Sequence, residues 1–133
     1  LEYRPISFRS YDSSGALIYH TNVMMSVGSG FAVVCAECIR DPQERSAVLG
    51  QLRRSGKRII TITQAQMAQM CGNILELRAA QGPVIVMSQT AYEHFTPEQR
   101  KELSHFGRLL PVRIPTIEAI GGGSARCMLG EVF

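Results

Sequence analysis

Cys127 is the residue of this sequence whose surroundings most suggest chemistry. It closes the segment Gly121-Gly122-Gly123-Ser124-Ala125-Arg126-Cys127. Consecutive glycines lose much backbone entropy on folding, so such a run belongs where the chain needs unusual dihedrals or the close approach of another group. A thiol just beyond it, at the mouth of an apolar segment, can be presented as a nucleophile at a strand start. Free N–H groups nearby would stabilise a thiolate or a developing charge. The same run also reads as a flexible turn before a last strand.

The other cysteines read as structural. Cys35 and Cys38 have C-x-x-C spacing, which fits half of a zinc site or a redox pair, yet no second such pair and no paired histidines follow at finger spacing. Cys35 ends the apolar run Phe31-Ala-Val-Val-Cys35, where a free cysteine serves as a small hydrophobe. Cys71, beside Gly72 at a helix-to-strand junction, takes the same assignment. Reduced thiols are expected, not a disulfide framework, and neither a metal nor a cofactor is called for. Among the 3 histidines, His94 and His105 lie among polar helical residues and read as surface positions. His20 stands open between a structural histidine and a general acid/base. Met24, Met25, Met67, Met70 and Met128 read as core fillers.

Composition narrows the class. In 133 residues, 14 Lys+Arg against 11 Asp+Glu leave a net charge of +3, and there is no Trp. That bias is too weak and too dispersed to call for nucleic acid or an anionic membrane. With 45% hydrophobic and 19% charged residues the chain is an ordinary globular one. Its longest apolar stretches, Phe31 to Ala36 and Val84 to Met87, fall far short of the roughly 20 residues of a membrane helix. No signal sequence opens the chain, so a cytoplasmic protein is expected.

The elements that must position Cys127 follow from periodicity and punctuation. Ile6 to Tyr11 and Ala16 to Ser26 read as extended, joined by the turn Asp12-Ser-Ser-Gly15, and Gly28-Ser-Gly30 leads into the strand Phe31 to Cys35. Asp41-Pro42 starts a helix, with Glu44 in capping-box position, that stops at Gly56. A strand over Lys57 to Thr63, a short helix over Gln64 to Met70, and strands over Asn73 to Arg78 and Pro83 to Ser88 follow. Thr96-Pro97 caps another helix, ending at Gly107, and Arg108 to Ile114 is the next strand. Phe31 to Val84 and Ile59 to Leu109 are both steps of about 50 residues, so a strand, strand, helix, strand unit is used twice. The two modules span 16–63 and 73–114, with a closing strand over 126–132. Their open faces suggest part of a larger ring or layer.

Four segments carry a resemblance: Tyr19-His-Thr-Asn-Val-Met-Met25, Gly28-Ser-Gly-Phe-Ala-Val-Val34, Cys71-Gly-Asn-Ile-Leu-Glu-Leu77 and Gly121-Gly-Gly-Ser-Ala-Arg-Cys-Met-Leu129. Through them nearly the whole chain resembles the C-terminal half of guanidino-group-modifying enzymes, the pentein or amidinotransferase superfamily. It looks most similar to the citrulline utilization hydrolases and arginine deiminase-related proteins. The resemblance implies an α/β (α+β) fold, a five-bladed propeller of ββαβ modules around a substrate channel, of which residues 1–133 would form about two modules. Cys127 aligns with the nucleophile and His20 with the general acid/base. Carboxylates that hold the guanidinium come, in such enzymes, from earlier modules, so a protein roughly twice this size is expected, with the missing part before Leu1.

The implied reaction is hydrolysis of the C–N bond of a ureido or guanidino amino acid through a covalent, thiouronium-type intermediate. The partner is then a small molecule, with neither nucleic acid nor membrane, and homo-oligomer formation is allowed. An amidinotransferase is the enzymatic alternative. A non-catalytic binding module of the same fold is the alternative of another class, although such members are expected to lack the Cys–His pair. Substrate contacts are expected from Asn22, Arg126, Gly122, Gly123 and Ser124. Asn22 stands where related enzymes carry an aspartate, and a neutral amide suits a ureido group better than a cationic guanidinium. Arg126, one residue from Cys127 on a strand, would point away from it, leaving a structural salt bridge and a charge that lowers the thiol pKa as equal readings. Asn73 reads as a turn residue beside the site.

Overall fold

The computed structural model describes residues 4–130 of the chain. It carries two three-stranded sheets built to the same plan. In the first, β1 (Met25–Val27) runs antiparallel to β2 (Phe31–Val34), and β3 (Arg58–Thr61) lies parallel to β2. In the second, β4 (Leu75–Ala79) is antiparallel to β5 (Gly82–Ser88), and β6 (Arg108–Val112) is parallel to β5. The parallel pairings begin at Phe31↔Arg58 and Val84↔Arg108, so the register as well as the order repeats. Parallel neighbours need a crossover, and helices supply it. The fold is a mixed α and β one.

Six helices connect or flank the strands: α1 (Thr21–Met24), α2 (Pro42–Arg54), α3 (Gln64–Ala68), α4 (Gln89–His94), α5 (Pro97–Ser104) and α6 (Pro115–Ile120). The α2 start follows its sequence, with Asp41 Oδ1 accepting from the N–H groups of Gln43 (2.7 Å) and Glu44 (3.0 Å). Glu44 does not close a capping box; its carboxylate accepts instead from the N–H of Arg9 at 2.8 Å. Full capping boxes form at α3, between Thr63 and Gln66, and at α5, between Thr96 and Gln99. Both α2 and α3 end in a Schellman arrangement. In α3 the N–H groups of Cys71 and Met70 reach back to the carbonyls of Gln66 (3.1 Å) and Met67 (3.0 Å), with Met70 at φ +64° where glycine is the common choice.

One main core joins the sheets. Met24, Phe31, Val33, Cys35, Ile39, Ile60, Ile74, Ile85, Met87, Phe95 and Leu103 are all buried in it. A second, small cluster sits on the other face of β5, where Val84 and Val86 pack with Ala125. The alternation along β5 assigns Ile85 and Met87 to the main core and Val84 and Val86 to the small one.

Several expected elements differ. Ile6 to Tyr11 forms no strand, only an isolated bridge between Tyr11 and Leu17. Within the extended segment expected over Ala16 to Ser26, α1 takes Thr21–Met24, because the N–H of Val23 turns back to the His20 carbonyl. α4 and α6 have six residues each, too few for an apolar stripe to show as periodicity. The closing strand over 126–132 is replaced by a 3₁₀ turn, Ala125–Met128, in which the N–H of Cys127 bonds to the Ser124 carbonyl (3.0 Å). Residues 131–133 lie outside the described part. Met128 is half exposed and fills no core, whereas Met24 and Met67 are buried as expected. No helix among the described residues is long and apolar enough to cross a membrane.

Candidate active site

The glycine run does both things that its cost suggested. Gly122 takes φ +64°, and a Cβ on Gly123 would stand 3.1 Å from Cys127 Cβ and 3.2 Å from its Sγ. The loop therefore folds back against its own thiol, and a side chain there would have to push Cys127 aside by a few tenths of an ångström. Ala125 then anchors the turn in the small cluster on β5. Ser124, fully buried, donates to Glu118 Oε1 at 2.7 Å, and Thr90 donates to Glu118 Oε2 at 2.7 Å. Burial pushes the Glu118 carboxyl up, but the hydroxyls of Ser88, Ser124 and Thr90 outweigh it and hold the group below the usual carboxylate range. An ionised Glu118 on α6 thus ties the loop to the start of α4.

Cys127 is the exposed cysteine; Cys35, Cys38 and Cys71 are buried and free. Burial pushes the Cys71 thiol up to about 12 and raises Cys35 and Cys38 as well, so these three stay protonated and inert as the sequence suggested. Cys38 Sγ lies 2.9 Å from Cys35 Sγ and 3.5 Å from the Met67 sulfur, inside the core. No group of three or more His, Cys, Asp or Glu residues that could hold a metal occurs among the described residues.

The groups facing the Cys127 sulfur are side-chain amides, not the free backbone N–H groups expected from the glycine run. Asn73 Nδ2 donates to it at 3.1 Å and Asn22 Nδ2 at 3.5 Å. The backbone N–H of Arg126 goes instead to Asn73 Oδ1 at 3.0 Å, and that of Cys127 to the Ser124 carbonyl at 3.0 Å. Asn73 is buried and also donates to the Asn22 carbonyl at 3.0 Å. It thereby links α1, the turn before β4 and the 3₁₀ turn. Gly72 makes this junction possible, since a Cβ there would meet the Val23 carbonyl oxygen at 2.4 Å.

Around the thiol lies a hollow of ≈ 270 Å³ lined by Asn22, Leu75, Arg126, Cys127 and Leu129. Arg126 and Cys127 share its wall, because on a 3₁₀ turn the alternation of a strand no longer applies. No carboxylate forms an ion pair with Arg126 among the described residues. His20 is exposed at the N-cap of α1, two residues before Asn22, with its ring 5.0 Å from that of Tyr19. His94 and His105 are exposed and bond to helix carbonyls, as their sequence setting predicts. A larger hollow of ≈ 530 Å³, lined by Gln89, Thr90, Glu93, Arg113, Ile114 and Pro115, contains no nucleophile.

Asn73 and Glu118 escaped assignment to the site from sequence. The Cys71-Gly72-Asn73 segment did mark the first as a neighbour of the site. Nothing local distinguished Glu118, whose partners come from two separate places in the chain, Ser88 with Thr90 and Ser124.

The fold is shared with a solved enzyme, the arginine dihydrolase ArgZ of the ornithine-ammonia cycle in cyanobacteria, in its apo structure. The match has a TM-score of 0.68 at 13% identity, and it covers 92% of this chain but 18% of that one. The chain thus spans under one fifth of that enzyme's length. Fold and sequence together define the class as the guanidino-group-modifying, or pentein, enzymes. Over residues 1–133 the chain matches, and belongs to, the family described as N,N dimethylarginine dimethylhydrolase, eukaryotic. No curated protein matches it.

Proposed function

We propose that this chain is the nucleophile-bearing part of a cysteine-dependent hydrolase that acts on the C–N bond of a ureido or guanidino amino acid, with citrulline preferred. One observation carries the reading: the exposed thiol of Cys127 faces the amide donors of Asn73 and Asn22 beside an open hollow. Family membership supports the guanidino-group hydrolase in it. A ureido or guanidino carbon is resonance-stabilised and a poor electrophile, so it needs a strong nucleophile together with a proton donor to the leaving nitrogen. The Cys127 thiolate forms the C–S bond, His20 protonates the nitrogen as its C–N bond breaks, and the covalent intermediate remains on sulfur. His20, now neutral, takes a proton from water as the water adds to that carbon. Collapse breaks the C–S bond and returns the thiolate.

The preference for citrulline rests on Asn22, a neutral amide in the wall of the hollow. Arg126, in the same wall without a carboxylate partner among the described residues, suits the carboxylate of an amino-acid substrate. Gly122, Gly123 and Ser124 serve the substrate by shaping the loop. The test is amine release by the full-length protein in parallel, ammonia from citrulline and arginine and dimethylamine from dimethylarginine, with intact-mass measurement of the adduct. Citrulline should be fastest and the adduct should map to Cys127. Faster turnover of arginine or dimethylarginine removes the preference, and undiminished turnover by Cys127→Ala removes the mechanism.

A further inference from the structure

Cys127 is held through the three residues that precede it, each fixed to a different part of the fold. Ser124 is bonded to Glu118, Ala125 packs with Val84 and Val86 of β5, and the Arg126 N–H meets Asn73 Oδ1. The first of these attachments lies next to the slack in the loop. Gly121, Gly122 and Gly123 have no side chains to hold, and the bond from Ser124 to Glu118 closes the chain across them. Closing a loop at its base removes many of the conformers that such a run otherwise populates.

The closure also has a direction. An ionised carboxylate can only accept, so the hydroxyls of Ser124 and Thr90 both donate, each to its own oxygen, at 2.7 Å. Ser88 brings a third hydroxyl, is fully buried, and receives the Ala91 N–H at the start of α4 (3.1 Å). Glu118 therefore refers the loop to the end of β5 and to α4 at once. The Ser124 carbonyl in turn accepts the N–H of Cys127 at 3.0 Å, so whatever moves Ser124 moves Cys127.

We propose that Glu118 is a positioning residue for the hydrolysis: acting through Ser124, it sets where the Cys127 sulfur stands against the carbon to be attacked. This rests on the reading of Cys127 as the nucleophile. Glu118 is not in the wall of the hollow around the thiol, so it leaves the binding contacts alone. Its signature is a loss in kcat at nearly constant KM, because a displacement of about 1 Å at the reacting atoms is worth about 10²-fold.

Three variants of the full-length protein test this. Glu118→Ala should lose kcat about 10–100-fold, with KM within about twofold of the parent. Glu118→Asp, one methylene shorter, cannot span to both hydroxyls and should lose nearly as much. Glu118→Gln keeps the length, and its amide can donate to one hydroxyl while its oxygen accepts from the other, so kcat should stay within about fivefold. Combining Glu118→Ala with Ser124→Ala should be no slower than Glu118→Ala, since the two share one bond. Without substrate, hydrogen exchange at the Cys127 amide should quicken about tenfold or more in Glu118→Ala while that of Ile85 on β5 holds. Parental kcat in folded Glu118→Ala, a loss confined to KM, better rescue by aspartate than by glutamine, or unchanged exchange at Cys127 overturns the proposal. If Glu118→Ala does not fold, Ser124→Ala carries the same kcat and exchange test. Failure of the hydrolase reading shows separately, as turnover that survives Cys127→Ala.

Discussion

The two sheets share an order and a register, yet only the second carries the glycine loop. In the first, β2 is buried along its whole length, and Phe31, Ala32, Val33 and Val34 all belong to the main core. In the second, β5 divides its side chains, sending Ile85 and Met87 inward and leaving Val84 and Val86 for Ala125 of the 3₁₀ turn. The crossovers differ too. One 13-residue helix, α2, joins β2 to β3, whereas α4 and α5 share the route from β5 to β6. The extra helix supplies Thr90, a partner of Glu118. The first sheet thus supplies the stable base and lends α1 with Asn22, while the second has given up part of one face and its simple crossover to seat the turn that carries Cys127.

The largest effect expected from this contrast is on the base. Phe31→Ala should cost about 3–5 kcal/mol of stability, as for other buried aromatic truncations, read as a fall in the chemical-denaturation midpoint. Equal stability in the variant would mean that the first sheet is not the base of the fold. Ser124→Ala attacks the second region instead. It should cost about 1–2 kcal/mol, the worth of one hydrogen bond to a charged but partly exposed partner, while lowering turnover at least tenfold because the loop loses its tie. A Ser124→Ala enzyme as active as the parent would show that Ala125 and the Arg126–Asn73 bond hold the loop without Glu118.

Acid should act on that same tie. The folded-state value of Glu118 is depressed, so its contribution is present above the value of the unfolded chain and fades as pH falls through the folded one. Stability should therefore drop below the ordinary carboxylate range in the parent and drop less in Ser124→Ala, as thermal melts across pH would record. Thr90→Val should be the mildest change, about 1 kcal/mol or less, since Ser124 and Ser88 remain on Glu118. Finally, brief alkylation near pH 8 should label Cys127 and spare Cys35, Cys38 and Cys71, all buried with raised thiol values. Peptide mass mapping would show any exception.

Much of the base was legible in the sequence because its signals are local. Asp41-Pro42 and Thr96-Pro97 cap the helices they appeared to cap, and the repeat step of about 50 residues returns as a repeated register. Where the reading departed, the deciding contact was remote. The segment after Gly123 looked like a strand from its composition, but the bonds of Ser124 to Glu118 and of Arg126 to Asn73 wind it into a 3₁₀ turn. The same bonds bring Arg126 round to the wall it shares with Cys127. Asn22 was legible as a site residue through the motif that contains it, whereas the central place of Asn73 depends on three partners that no spacing reveals.

Gly72 gives this arrangement a particular vulnerability. The Val23 carbonyl fills the space that a methyl group would need there, so even Gly72→Ala would act as a wedge between α1 and the turn that carries Asn73. Every side chain of the hollow would still be present, but the two sides of the cradle would part, and Asn22 would move away from the sulfur. Position 72 is therefore a place where Asn22 can be parted from Cys127 without altering either residue. For an engineer it offers a ready-made control protein; for natural variation it closes a route that composition alone would leave open.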